Sequence, residues 1–71
     1  MTSQEIGEIF KKRRRFLGLR QEDVEELSGV NMKTIQQVEL GRGNPSIVTL
    51  EKIASILGME VTVQVKDQGN G

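Results

Sequence analysis

The sequence predicts an all-α domain of four or five helices followed by one short β-strand, and three observations carry that prediction. Apolar residues recur at helical spacing in four windows set apart by glycines. A helix, glycine turn, helix frame runs from Gln21 to Glu39. After Gly58, Val61, Val63 and Val65 alternate with Thr62, Gln64 and Lys66, which is the period of a strand. The chain has 71 residues, and at that size only about 60% of the unfolded surface can be buried, so a single compact core is expected.

The first helix is expected over about Ser3 to Leu17. Thr2 and Ser3 are available as caps, Glu5 and Glu8 occupy the favourable first turn, and Lys11 to Arg15 lie near the far end. At ~100° per residue, Ile6, Phe10 and Leu17 form an inward stripe, with Ile9 and Phe16 on its flank. Gly18 stops this helix, and a second runs from Gln21 to Ser28 with Val24 and Leu27 inward. Gly29 breaks the pattern, and Asn31 caps a third helix from Met32 to about Leu40. There Ile35 and Val38 face the core, while Lys33, Gln36, Gln37 and Leu40 face the opposite way. Pro45 and Ser46 open a fourth helix, whose Ile47, Leu50, Ile53, Ala54 and Leu57 repeat at helical spacing up to Gly58. Residues 1–58 are thus expected to form the helical domain, 59–66 a dimerisation strand and 67–71 a disordered tail.

Composition removes several classes of function. Cysteine and histidine are both absent, so disulfides, thiol nucleophiles, imidazole bases and the usual transition-metal sites lose their ligands. No metal, cofactor or catalytic residue is expected. Phe10 and Phe16 are the only aromatics, too few for the stacking platforms of single-strand binders. The longest strictly apolar run is two residues, which excludes a membrane span and a signal peptide and points to the cytoplasm. Ten basic residues cancel ten acidic ones, but the first twenty residues carry +4, the next twenty −4 and the remainder zero. A neutral total leaves room for a local phosphate-binding patch.

The Gln21 to Glu39 frame lets its second helix project an outer face, and such a helix fits the ~12 Å major groove of DNA. An ordinary helical hairpin would carry a charged, salt-bridged face there. This one is mostly amide with a single lysine, and amides can both donate to and accept from base edges. The Gly41 to Pro45 loop lacks the spacing of a nucleotide cradle and follows a helix where that motif needs a strand. Its Arg42 and Asn44 remain available to DNA backbone. Glu22, Asp23, Glu25 and Glu26 offer no reason for a raised pKa and read as a solvated acidic face or a protein contact.

These pieces together resemble the phage repressor, Cro and Xre family of helix-turn-helix regulators over about Ile6 to Gly58. The matching residues are Arg14 with Gly18 and Leu19, Gln21 to Asp23, Leu27 to Val30, Thr34 to Glu39 with Gly41, Asn44 to Thr49, and the later Ile53, Ala54, Leu57 and Gly58. The resemblance implies a repressor-like DNA-binding fold in which Gln21 grips a phosphate and Asn31, Met32, Lys33 and Gln37 face DNA. It also implies a buried pair between Arg14 and Glu39, although periodicity alone accepts Arg13 as readily. Two positions depart from the family pattern. Glu25 replaces a small alanine, so either its carboxylate reaches water or the two helices sit further apart. Arg20 replaces a capping Thr or Ser and adds a cation that could meet phosphate.

The expected function is therefore a sequence-specific DNA-binding regulator, a dimeric repressor associated with the nucleoid. Gln21, Asn31, Arg42, Asn44 and Arg20 would contact the backbone, while Met32, Lys33, Gln36 and Gln37 would read bases. Double-stranded DNA with a palindromic operator is the expected partner, together with a second copy paired through Val61, Val63 and Val65. Valines after such a domain also resemble HipB-type antitoxins, which implies a toxin kinase as a further partner and leaves antitoxin and stand-alone regulator both open. The alternative from another class is a protein-interaction adaptor that keeps the fold without binding DNA.

Overall fold

The computed structural model describes residues 1–67. Four helices form: α1 (Ser3–Phe16), α2 (Gln21–Ser28), α3 (Met32–Leu40) and α4 (Ile47–Ile56). Each start has a local cause. Thr2 and Glu5 close a reciprocal capping box on α1, at 2.9 and 3.1 Å. Asn31 Oδ1 accepts the Thr34 N–H at 3.2 Å on α3, and Ser46 Oγ accepts the Thr49 N–H at 3.1 Å on α4. Arg20 makes no side-chain cap on α2; the Asp23 carboxylate reaches back to accept the Arg20 N–H at 2.8 Å, and the Asp23 N–H goes to Arg20 O at 3.1 Å.

α3 packs against α1 and α2, and α2 packs in turn against α4. Phe10, Val24, Val30, Ile35, Val38, Ile53, Ala54 and Leu57 are buried between them. α1 and α3 approach closely at Gly7, which is buried within α1. A β-carbon on Gly7 would lie 2.7 Å from the Glu39 carbonyl oxygen and closer still to that of Val38. The turn between α2 and α3 depends on Gly29, which is left-handed at φ 75° and donates its N–H to Glu25 O at 2.9 Å.

Two apolar residues expected inside, Leu17 and Leu27, lie outside. Leu17 is 40% exposed because α1 ends at Phe16 and Leu19 packs on the core instead. Leu27 and Ile47 are also exposed. In a helix as short as α2, the buried face narrows to Val24, and Leu27 falls on the rim of an open groove beside Val48 and Ile56. Ile47 stands at the first position of α4, before that helix reaches the core.

The expected strand is likewise not formed: among the described residues there is no strand, and residues 59–67 carry no regular structure. A strand needs a second backbone to pair with, and the helical backbone offers no edge. Met59 and Val61 pack on the core, whereas Val63 and Val65 are almost wholly exposed. The tail expected over 67–71 lies, apart from Asp67, outside the described residues. No helix among the described residues is long and apolar enough to cross a membrane, and no acidic cluster there could hold a metal ion.

Candidate nucleic-acid interface

α3 has one face in the core, through Ile35 and Val38, and one turned to solvent. The outer face presents Lys33 and Gln36, both exposed, and Met32 and Gln37, both half-buried. Two shallow clefts flank it. On one side Gln36 and Gln37 face Gln21 and Arg15, and on the other Lys33 and Gln37 face Asn44. Gln37 lines both, so the structure gathers Gln21, Lys33, Gln36, Gln37 and Asn44 around one helix.

Arg42 lies just beyond α3, its side chain exposed and its N–H donated to Gln37 O at 2.8 Å. Asn31 is exposed at the start of α3 and spends its side-chain oxygen on the cap, which leaves its amide nitrogen as a donor. Arg20 is exposed on α2's leading edge, 3.3 Å from Asp23 and 3.6 Å from Glu22. Pairs this exposed are weak enough to be exchanged for a phosphate. Val61, Val63 and Val65 lie in the segment after α4 and line neither cleft.

Beneath the face lies a buried polar network. Arg14 Nε and Nη2 donate to the two Glu39 carboxylate oxygens at 2.6 and 2.9 Å, and Arg14 Nη1 donates to Leu19 O at 2.9 Å. Gln21 Nε2 donates to Glu39 Oε1 at 3.1 Å. The Glu39 carboxylate thus ties α1 and α2 to α3, and Arg14 extends the network to the first linker. Burial pushes the Glu39 carboxyl up, but hydrogen bonds from Arg14 and Gln21, with the charges of Arg14 and Lys11, hold it below the ordinary range. The same bond to Glu39 raises the already basic Arg14 guanidinium. Arg13, the other arginine open on periodicity, donates to Leu57 O at 2.8 Å and lies 5.3 Å from the Phe16 ring centre, so it ties α1 to the end of α4.

Glu25 is half-buried, so its carboxylate is not sealed from water, and it also finds a partner that neither expectation named. Its Oε2 accepts the Met32 N–H at 2.7 Å, bridging α2 to the first residue of α3. Asp23 and Glu25 are both half-buried and committed to backbone amides, so the acidic face of α2 shrinks to Glu22 and Glu26. Periodicity carries no sign of the Glu25 contact, because it crosses a turn whose geometry Gly29 sets.

Two short helices joined through a left-handed glycine, the second anchored inward and amide-rich outward, define a helix-turn-helix DNA-binding regulator. The chain belongs to the helix-turn-helix family HTH_3, which matches residues 10–64. It is 41% identical over 54 residues to the HTH-type transcriptional regulator y4dJ of Sinorhizobium fredii, covering 76% of this chain and 70% of that one. An HTH-type transcriptional regulator of Methanothermobacter thermautotrophicus is 40% identical over 52 residues, covering 73% and 75% of the two chains. Among solved structures, the restriction-modification controller protein C.AhdI from Aeromonas hydrophila aligns with a TM-score of 0.76 and 33% identity, over 82% of this chain and 88% of that one.

Proposed function

We propose that the chain is a dimeric transcriptional repressor that lays α3 in the major groove of a two-fold symmetric operator. The observation that carries this reading is the outer face of α3, where Lys33, Gln36 and Gln37 stand beside Asn44 and Gln21 on a helix whose other side is locked in the core. Gln37 and Gln36 suit adenine edges and Lys33 suits guanine, with Met32 supplying apolar contact. Asn31, Arg42, Asn44 and Arg20 set the register on phosphates. Gln21 does so with the N–H that its bond to Glu39 leaves over. The names of the relatives, transcriptional regulators and a restriction-modification controller, support the same class. An autoregulating antitoxin and a stand-alone repressor would share this interface. They differ in whether a toxin kinase is encoded beside the chain.

Gel shifts with the DNA upstream of its own reading frame, at two salt concentrations, test the reading. Gln37→Ala is expected to weaken operator binding by about 1–3 kcal/mol and to relax preference at one base position, whereas Gln21→Ala weakens all sequences alike. Unchanged operator affinity in the double variant would favour the protein-interaction adaptor.

A further inference from the structure

We propose that Glu25 is a positioning residue for base reading: its carboxylate latches the N-terminal end of α3 to α2 and so fixes the angle at which the recognition face is presented. The inference rests on the DNA-binding reading above. A helix cannot satisfy its own first N–H groups, and Met32 is the first residue of α3. Its N–H goes to Glu25 Oε2 at 2.7 Å, seven residues back and on another helix. A hydrogen bond to an ionised acceptor is about twice as strong as a neutral one, and this one is half-buried.

The short turn it spans is tied at further points. Ser28 Oγ donates to Val24 O at 2.6 Å and accepts the Val30 N–H at 3.1 Å, and Asn31 Oδ1 takes the Thr34 N–H at 3.2 Å. Of these ties, the Glu25 contact alone runs from the body of α2 to α3 itself. Val24 of α2 and Ile35 of α3 are both buried in the core that joins the helices, but aliphatic contacts are non-directional. The latch adds a direction at the end where Met32 and Lys33 begin the outer face. Base-edge hydrogen bonds need placement within roughly 0.5 Å, so loosening that end degrades reading of sequence before it degrades attraction to phosphate. The carboxylate also places a negative charge near DNA, which lowers affinity for every duplex equally and leaves discrimination untouched.

The test separates latch from charge. The probes are the tightest duplex recovered by the unchanged protein from a randomised pool, and a shuffled duplex of the same composition. Glu25→Gln keeps an acceptor oxygen and loses the charge; Glu25→Ala loses both. Loss of the charge is expected to tighten Glu25→Gln on the two duplexes alike, and to tighten Glu25→Ala on the shuffled duplex. Only Glu25→Ala is expected to lower the ratio of their affinities, by about tenfold, and to speed hydrogen exchange at the Met32 amide, while Glu25→Gln keeps both near their original values. A ratio unchanged in Glu25→Ala, or a Met32 amide as protected there as in the unchanged protein, overturns the role of Glu25 alone. Equal binding of both duplexes by the unchanged protein overturns the DNA reading instead, and this role with it.

Discussion

Arg14 and Glu39 meet with two hydrogen bonds where neither side chain is more than about a tenth exposed. A buried pair of this kind is costly to break on one side only, because the remaining charge is stranded. Arg14→Ala or Glu39→Ala is expected to cost ~3 kcal/mol in urea unfolding, and replacing both together less than the two losses added. Additive losses in that cycle would mean the side chains do not interact. The pH dependence has a definite sign. Glu39 titrates lower folded than unfolded, so its stabilisation is present above the ordinary carboxylate range and is lost as pH falls through and below it. Glu39→Gln is therefore expected to flatten the acid limb of the stability profile without abolishing it, since backbone bonds to Thr2 and Arg20 also hold Glu5 and Asp23 low. An acid limb as steep as that of the unchanged protein would count against this linkage. The sequence left Arg13 and Arg14 equivalent by periodicity, because adjacent residues differ by only ~100° around a helix. What separates them is which acceptor each finds, Glu39 on α3 or Leu57 O at the end of α4, and that is a property of the assembled fold.

The helices themselves were legible because their signals are local: a capping Thr, Asn or Ser, a glycine stop and a 3.6-residue repeat. α2 and α3 begin and end where those signals put them, and α1 and α4 differ by a residue at their ends. Burial was less legible. A stripe names a face but not its width, so periodicity puts Leu17 and Leu27 inside although both lie outside, and Ile47 shares the α4 repeat yet is exposed. Gly7 illustrates the converse, since nothing in the pattern marks it, yet α1 and α3 touch through it. Substituting Ala gains about 1 kcal/mol of helix propensity. The added methyl would meet the Val38 and Glu39 carbonyl oxygens, which belong to the backbone of α3 and can yield only if the helix moves. Overpacking of that kind costs roughly 1–3 kcal/mol or more. Gly7→Ala is accordingly expected to lower the urea midpoint, with an unchanged slope. A raised midpoint would show that α1 and α3 separate freely.

At the scale of the whole molecule, the segment after α4 poses an energetic question that one chain does not answer. Met59 and Val61 are partly buried against the core, but Val63 and Val65 are 92% and 94% exposed, and no backbone edge of the helical domain lies open to receive them. Alternating valines in that state expose apolar surface and strand-forming backbone together, and a second copy related by a two-fold axis would cover both at once. Ile9 and Phe16, also exposed, supply further apolar surface on α1. Such a dimer can set two copies of α3 ~34 Å apart, one turn of B-DNA, to match the halves of a palindrome. Cutting at Gly58 would also remove Met59 and Val61 from the core, so the informative truncation keeps them and deletes residues 62–71. That protein is expected to retain its helical circular dichroism, to sediment as a monomer, and to bind a single half-site as well as the full chain does while losing most of its preference for the full palindrome. If it still sediments as a dimer, the valines are not the interface, and the exposed Ile9 and Phe16 on α1 become the surface to mutate next.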